Sequence, residues 1–362
     1  MGFNKAYLDF LRYTIEIEAE IPASAYSIDW KNYLQYCNRQ GIIGLVFDGL
    51  QRSDLRISQS VLFEWISFAE SIKAQNKLIN RRIIQTVDFL HEKDCNCVIL
   101  KGQANGLMYP NPEMRSPGDI DVWASSMSDG RSKWDDVHII RMVLKECPKA
   151  HYSIHHIKLP IFKDVSVEVH YRPIYMANWF ADRKLQRYIS NIEDKQFANK
   201  VSFEGGKIGC LTDDFNLVYQ MLHMYHHFFE TRNSFKQFID YYYLLKKANS
   251  DNIDFKDTAD RFRDFGVQKY ASGVMWIMSN VLMLEKELPI EPNEKEGRLI
   301  LKESKYFGTW STNKFRSVIE QFAANIKIVT HYPKEVLISP IFLIWHQWWK
   351  VKMKWTLRRI GS

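Results

Sequence analysis

Two aspartates two residues apart, in Gly118-Asp119-Ile120-Asp121-Val122-Trp123, are the side chains best placed to do chemistry. On a strand, residues two apart project from the same face. Asp119 and Asp121 then share one side, and Ile120 and Val122 point the other way into a core. Two like charges about 7 Å apart repel unless a counter-charge lies between them. A hard divalent cation resolves the repulsion, and Mg²⁺ takes oxygen ligands while keeping places for water and phosphate. The plainer alternative is an exposed strand edge with two solvated carboxylates.

A third acid extends the pattern. Val165-Ser166-Val167-Glu168-Val169-His170 alternates, with the valines on one face and Ser166, Glu168 and His170 on the other. A neighbouring strand of this kind could bring Glu168 beside the aspartates. Three converging carboxylates would form a Mg²⁺ site for phosphoryl or nucleotidyl transfer. Upstream, the short apolar run Val98-Ile99-Leu100 suits a buried strand. Lys101-Gly102-Gln103 follows, where glycine permits a tight turn or a close backbone approach. A connection containing Pro110, Pro112, Arg115 and Pro117 then leads to the acids.

Taken together, Gly102, Asp119-x-Asp121 and a later acid on a strand resemble the nucleotidyltransferase fold shared with DNA polymerase beta. More closely, LKG…YP…R…GDIDVW followed by VEVH resembles the uncharacterised nucleotidyltransferase-like family found beside bacterial polysaccharide gene clusters. The resemblance is strongest over residues 100–172 and extends to both helical flanks. In the superfamily the turn glycine is usually followed by Gly or Ser; here Gln103 follows, and the spacing from Gly102 to Asp119 is longer. The resemblance implies an α+β fold: a small mixed sheet flanked by N-terminal and C-terminal helical modules. It also implies that Asp119 and Asp121 hold Mg²⁺ on the phosphates of a nucleoside triphosphate, with Glu168 holding a second metal or taking the proton of an acceptor hydroxyl. The backbone at Gly102 and Gln103 would approach the triphosphate, and Lys101 or Arg115 would neutralise it. Arg115 could equally pair with Asp119 or Glu113. His170 is read as a partner of a carboxylate, because Mg²⁺ favours oxygen over imidazole. The family places helical histidines and a later aspartate near the cleft, here His223, His227 and Asp240. His223 and His227 are four apart and share a helix face, but no His-Glu-x-x-His pattern surrounds them.

A chain of 362 residues suffices for one large or two to three modest domains. With 22 Phe, 18 Tyr and 11 Trp there is ample material for a core. The net charge of +7 would attract a nucleotide or another acidic partner. No Arg/Lys–aromatic interleaving points to a specific nucleic-acid partner. The five cysteines are scattered without a disulfide framework, which suits a reducing cytoplasm. The opening MGFNKAYLDFLRYTIE is unlike a signal peptide, and no window reaches transmembrane length.

The elements that must position these groups follow from periodicity. Residues 1–93 read as a helical module. Its helices cover 3–19, a segment capped by Asp29, a short helix over 42–50, and a long one from Ser58 or Ser60 to His91 interrupted by Asn76. Residues 94–210 form the nucleotidyltransferase-like core. Strands are expected at 97–101, 119–124 and 165–171, with a polar turn over 125–133, helices at 134–146 and 175–188, and a strand pair around Gly205-Gly206. Residues 211–362 form a C-terminal helical domain, with helices at 213–230, 234–247, 267–285, 294–304 and 312–329. Pro333 and Pro340 frame a turn before a last helix at 341–357. That helix joins Trp345, Trp348 and Trp349 to Lys350, Lys352, Lys354, Arg358 and Arg359. It reads either as a helix docked by its tryptophans with a solvated basic face, or as a peripheral contact with an acidic membrane surface.

The leading reading is a Mg²⁺-dependent nucleotidyltransferase that moves a nucleoside monophosphate group from a triphosphate to a hydroxyl-bearing acceptor. The alternatives are an inactive nucleotide-binding or regulatory module on the same fold, since fold does not guarantee activity, and a membrane-peripheral scaffold.

Overall fold

The computed structural model describes residues 4–16, 19–127, 135–308 and 314–360. The expectations for Phe3 and Ile17, for Trp134, and for the polar turn beyond residue 127 fall outside these residues.

The chain is a mixed α+β fold with a small central sheet between helical modules. Four helices open it: α1 (Lys5–Ile15), α2 (Trp30–Gln40), α3 (Ile43–Gln51) and α4 (Gln59–Glu92). Asp29 caps α2 by accepting from the N–H groups of Lys31 and Asn32, both at 3.1 Å. The core then alternates: β1 (Cys95–Ile99), the single turn α5 (Gln103–Gly106), β2 (Ile120–Ser126), α6 (Asp135–Glu146), β3 (His156–Lys158) and β4 (Val167–His170). α7 (Trp179–Ala198) and the hairpin β5 (Lys200–Phe203)–β6 (Gly206–Gly209) lead into the C-terminal helices. These are α8 (Asp213–Glu230), α9 (Phe235–Ser250), α10 (Phe255–Asp264), α11 (Gln268–Trp276), α12 (Glu294–Ser304), α13 (Lys314–Ile326) and α14 (Pro333–Ile360).

The sheet order is β1-β2-β4-β3. β2 runs antiparallel to β1 and parallel to β4, and β3 closes the edge antiparallel to β4. Ile120, Val122, Val167, Val169 and Ile157 face a core that includes Ile83 and Leu90 of α4 and Ile140 and Val143 of α6. On the opposite face Trp123 packs against Phe197 and Phe215, with ring centroids 4.8 and 6.3 Å apart. That second core is continuous from Phe10 and Tyr33 in the N-terminal helices to Phe238 and Tyr270 in the C-terminal ones.

Several boundaries differ from expectation. The first strand ends at Ile99, although the N–H of Leu100 still donates to the carbonyl of Asp121 at 3.0 Å. α7 starts late because Asn178 caps it, accepting from Phe180 and Ala181 at 3.0 and 3.3 Å. The helix expected over 267–285 widens into a π turn over Ile277–Val281. Pro340 does not end a turn but lies inside α14, which begins at Pro333. Proline suits a first helical position. Within the helix Pro340 removes one donor, and packing on either side of it, through Val336 and through Trp349 and Met353, overrides the local preference.

Candidate active site

The register of the sheet decides which acids meet. Asp121 lies directly across from Glu168, and Trp123 across from His170. On the next strand Lys158 faces Glu168 and His156 faces His170. Paired positions share a face, so Asp121, Glu168, His170 and His156 all project from the side of the sheet that α8 covers. Oxygen and nitrogen atoms of Asp121, Glu168 and His170 lie within 4.8 Å of one another. Asp119 stands one step before β2, open to solvent and outside that cluster. Its carboxyl is nevertheless pushed up, first by desolvation and then by the charge of Asp121.

Asp121 is buried and takes two cationic or donor neighbours. Lys101 Nζ lies 3.2 Å from Oδ2, and His170 Nε2 lies 3.1 Å from Oδ1. Burial opposes its ionisation, but Lys101 and His170 outweigh burial and hold the carboxyl well below the usual range. Burial also works against the Lys101 ammonium, which Asp121, Asp119 and Glu168 together keep charged and raised. Glu168 shifts the other way, upward, through burial and then Asp121. Two acids in register thus differ in character: Asp121 is a fixed anion and Glu168 a stronger base than a free carboxylate.

Oδ2 of Asp121 has the ion pair with Lys101 but no hydrogen bond, and Nδ1 of His170, itself buried, has none either. Among the described residues these are unsatisfied polar atoms in a carboxylate-lined cleft, the condition a bound cation relieves. The donor set therefore fits a divalent ion. Asp121, Glu168 and His170 are the group the geometry brings together for such an ion, with Asp119 standing apart from them. A second group, His155, His156 and His170, also converges within 4.8 Å, with His156 Nδ1 2.9 Å from His155 Nε2.

Arg115 has a partner other than the acids expected to pair with it. Its guanidinium forms a two-point pair with Asp240, Nε to Oδ1 at 2.8 Å and Nη2 to Oδ2 at 2.7 Å, with both residues buried. Neither Asp119 nor Glu113 is its partner. Tyr109 donates to Asp240 at 2.7 Å and Asn105 at 3.3 Å, while Gln220 of α8 donates to Asn105 at 2.6 Å. Asp240 is held below the usual range against burial, chiefly by Arg115. This network ties the loop between Lys101 and Gly118 to α8 and α9. The Gln103 side chain is likewise committed, donating to Asn76 at 3.2 Å and Asn80 at 2.6 Å on α4. Asn76 in turn donates to the carbonyls of Glu113 and Arg115 at 2.7 and 3.0 Å. The polar gap in the apolar stripe of α4 is thus the anchor of the loop. Gly102 sits at φ +65°, where glycine alone is unstrained.

α8 and α9 roof the cleft. His223 Nε2 lies 3.4 Å from Lys101 Nζ, and His227 donates to or accepts from Thr231 at 2.7 Å. Burial lowers both histidines, His227 to about 3. Lys236 of α9 had no signal in the sequence. It makes no ion pair or hydrogen bond among the described residues, and burial followed by Arg115 lowers it to about 8. Asp240 and Asp119 pull the other way, and Lys101 adds to the lowering. His155 and His156 were missed as well. The doublet flanked by Ile154 and Ile157, one strand away from VEVH, was the available clue.

The sequence pattern of a family described as uncharacterised nucleotidyltransferase matches residues 26–282. The chain belongs to that family. The matched region contains every candidate site residue named above, and α12, α13 and α14 lie beyond it. Among solved structures the chain is similar to an antigenic nucleotidyltransferase-like protein from Paracoccidioides brasiliensis. The two share 14% identity over 61% of this chain and 95% of that one, with a TM-score of 0.34, an overlap too slight to bear on fold or chemistry. No curated protein matches.

Proposed function

We propose that this member of the family is a nucleotidyltransferase that moves a nucleoside monophosphate group from a triphosphate to a hydroxyl-bearing acceptor, in the cytoplasm. The observation that carries the reading is the register pairing of Asp121 with Glu168, with the Lys101 ammonium 3.2 Å from Asp121. Asp119, Asp121 and Glu168 would hold Mg²⁺, which when bound neutralises phosphate charge and orients the reacting oxygens. Lys101 can turn from Asp121 to a phosphate oxygen. Lys236, without a direct partner, supplies a second positive charge for the triphosphate. Glu168 is the group suited to take the proton of the attacking hydroxyl, because burial and Asp121 raise its basicity. His170, on Asp121 at 3.1 Å, fixes the orientation of that carboxylate. Arg115 and Asp240 hold the loop rather than the substrate. A sugar or glycan precursor is an acceptor class consistent with the resemblance noted in the sequence.

A second reading has one specific observation behind it. The Lys101 ammonium already lies 3.2 Å from Asp121, so the chain carries an internal cation at the position of the proposed ion. A module that binds nucleotide without turning it over would look the same. Transfer of label from α-³²P triphosphates to an acceptor library separates the two. The enzyme reading expects labelled product that Glu168→Gln lowers at least about a hundredfold, with nucleotide affinity retained. Binding without any labelled product across the library would leave the regulatory reading.

A further inference from the structure

The C-terminal helix α14 presents an apolar stripe left exposed among the described residues. Leu337, Ile341, Ile344, Trp348, Val351 and Trp355 are each between 57% and 73% exposed. Their spacing is 4-3-4-3-4, which at about 100° per residue confines all six to about 80° of the helix circumference. The opposite side is already used. Val336, Trp349 and Met353 are buried, and Phe342, Trp345 and Leu357 pack against the α/β core. The four tryptophans therefore divide: Trp345 and Trp349 dock the helix, and Trp348 and Trp355 face outward.

Charge identifies what the stripe fits. From residue 336 to 362 there is no Asp or Glu, while Lys350, Lys352, Lys354, Arg358 and Arg359 crowd the second half of the helix. Lys352, Arg358 and Arg359 fall beside the stripe on the helical wheel and are exposed. Lys352 Nζ lies 5.3 Å from the ring centroid of Trp348, and Arg359 Cζ lies 4.4 Å from that of Trp355. Each outward indole thus carries a cation over its ring, the pairing that seats a helix at a lipid–water boundary with its rings among acyl chains and its charges at headgroups. No helix among the described residues is long and apolar enough to cross a membrane, so contact would be along the surface.

We propose that α14 is a docking surface for an anionic lipid membrane, lying in the interface plane with this stripe inserted. The same spacing also serves a coiled-coil seam. A second copy of the chain is disfavoured there because both helices would bring indoles to the seam and cations of one sign to its flanks. The inference does not rest on the nucleotidyltransferase reading.

The test uses the full chain and sedimentation with large vesicles. One set is phosphatidylcholine alone and the other contains about a third phosphatidylserine. The proposal expects binding to the anionic vesicles, weaker by at least about tenfold on neutral ones and in about 0.5 M salt. Ile344→Glu with Val351→Glu, two exposed positions whose change leaves the core intact, should abolish it. Lys352→Glu with Arg359→Glu should weaken it at least about tenfold. Asp119→Asn with Asp121→Asn should bind vesicles like the wild type, which separates this surface from the cleft. Absence of binding to anionic vesicles overturns the proposal, as does equal binding by the Ile344/Val351 variant. A wild-type dimer in analytical ultracentrifugation that the same variant converts to monomer would assign the stripe to a second copy and overturn it too.

Discussion

Asp121 is the residue whose surroundings decide most about the site. A two-residue period on a strand was enough to expect Asp119 with Asp121 and Glu168 with His170; the structure brings Asp121, Glu168 and His170 together and leaves Asp119 one step before β2. The pairing of strands was not legible, because register depends on contacts between segments far apart in the chain. Lys236 left no trace for the same reason: a lone lysine on a helix is indistinguishable from a solvated one until α9 is packed over the cleft. Arg115 illustrates a role set by burial. Its pair with Asp240 is almost closed to solvent, so removing one partner strands a buried charge, at a cost of about 3–5 kcal/mol. Arg115→Ala should lower unfolding free energy by about that amount in urea titrations. A variant of normal stability with weakened nucleotide affinity would instead make Arg115 a phosphate ligand. Histidines give a second prediction, in pH. His226 is lowered by burial to about 4, and His156 and His227, by burial first, to about 3. In the unfolded chain they titrate near 6.5. Below that value the unfolded state gains protons that the folded state refuses, so their contribution is complete above about pH 6.5 and is lost as pH falls toward 4. Asp121 and Asp240, lowered in the fold, keep their contribution until pH drops below about 4. The urea midpoint should therefore fall between pH 7 and 5, and His226→Gln with His227→Gln should flatten the decline. A midpoint unchanged across that range in the wild type would show that these rings are not held neutral.

At the scale of elements, periodicity found nearly every helix and strand, and capping chemistry fixed several starts. Asp29 behaved as a cap in the way its position before Trp30 suggested. The misses have packing causes. α14 runs through Pro340 because packing holds it on both sides, with Val336 buried before the proline and Phe342, Trp345, Trp349 and Met353 on the α/β core after it, a tertiary effect no local rule contains. The turn at Gly102 is the element where backbone conformation matters most. A Cβ there would meet Asp119 O at 3.6 Å, an ordinary contact, so the objection to a side chain is the φ of +65° and not space. Gly102→Ala should cost about 1–3 kcal/mol of stability and displace Lys101 from Asp121. The check is thermal unfolding beside nucleotide titration, with a loss in both expected. A fully stable Gly102→Ala would place the strain elsewhere. Gly44 is different in kind: a Cβ would lie 2.2 Å from the carbonyl of Met114, so α3 could not rest on the loop at all.

At the scale of the whole molecule, the helices before the sheet and those after it share one core, from Phe10 through Trp65 to Phe238 and Tyr270. The fold class was legible in the order of elements, but the joining of the two flanks was not, since periodicity says which face of a helix is buried and not against what. We propose divisions at 93/94 and 210/211 as boundaries of role, with segments 1–93 and 211–362 folding together around segment 94–210. Expressed alone, 94–210 should lack the cooperative unfolding of the full chain, because Trp123 and Leu100 would lose the helices they pack against. Sharp two-state melting of that fragment would contradict the shared-core account. We propose that the cleft built on Asp121 and Glu168 takes a nucleoside triphosphate with a divalent cation, which calorimetric titration reads out. Wild-type protein would be titrated with ATP, GTP, CTP and UTP, with and without Mg²⁺, beside Asp119→Asn/Asp121→Asn. Binding of at least one triphosphate that requires Mg²⁺ and disappears in the double variant is expected. Mg²⁺-dependent binding that survives loss of both aspartates, or none by folded wild type, would contradict it.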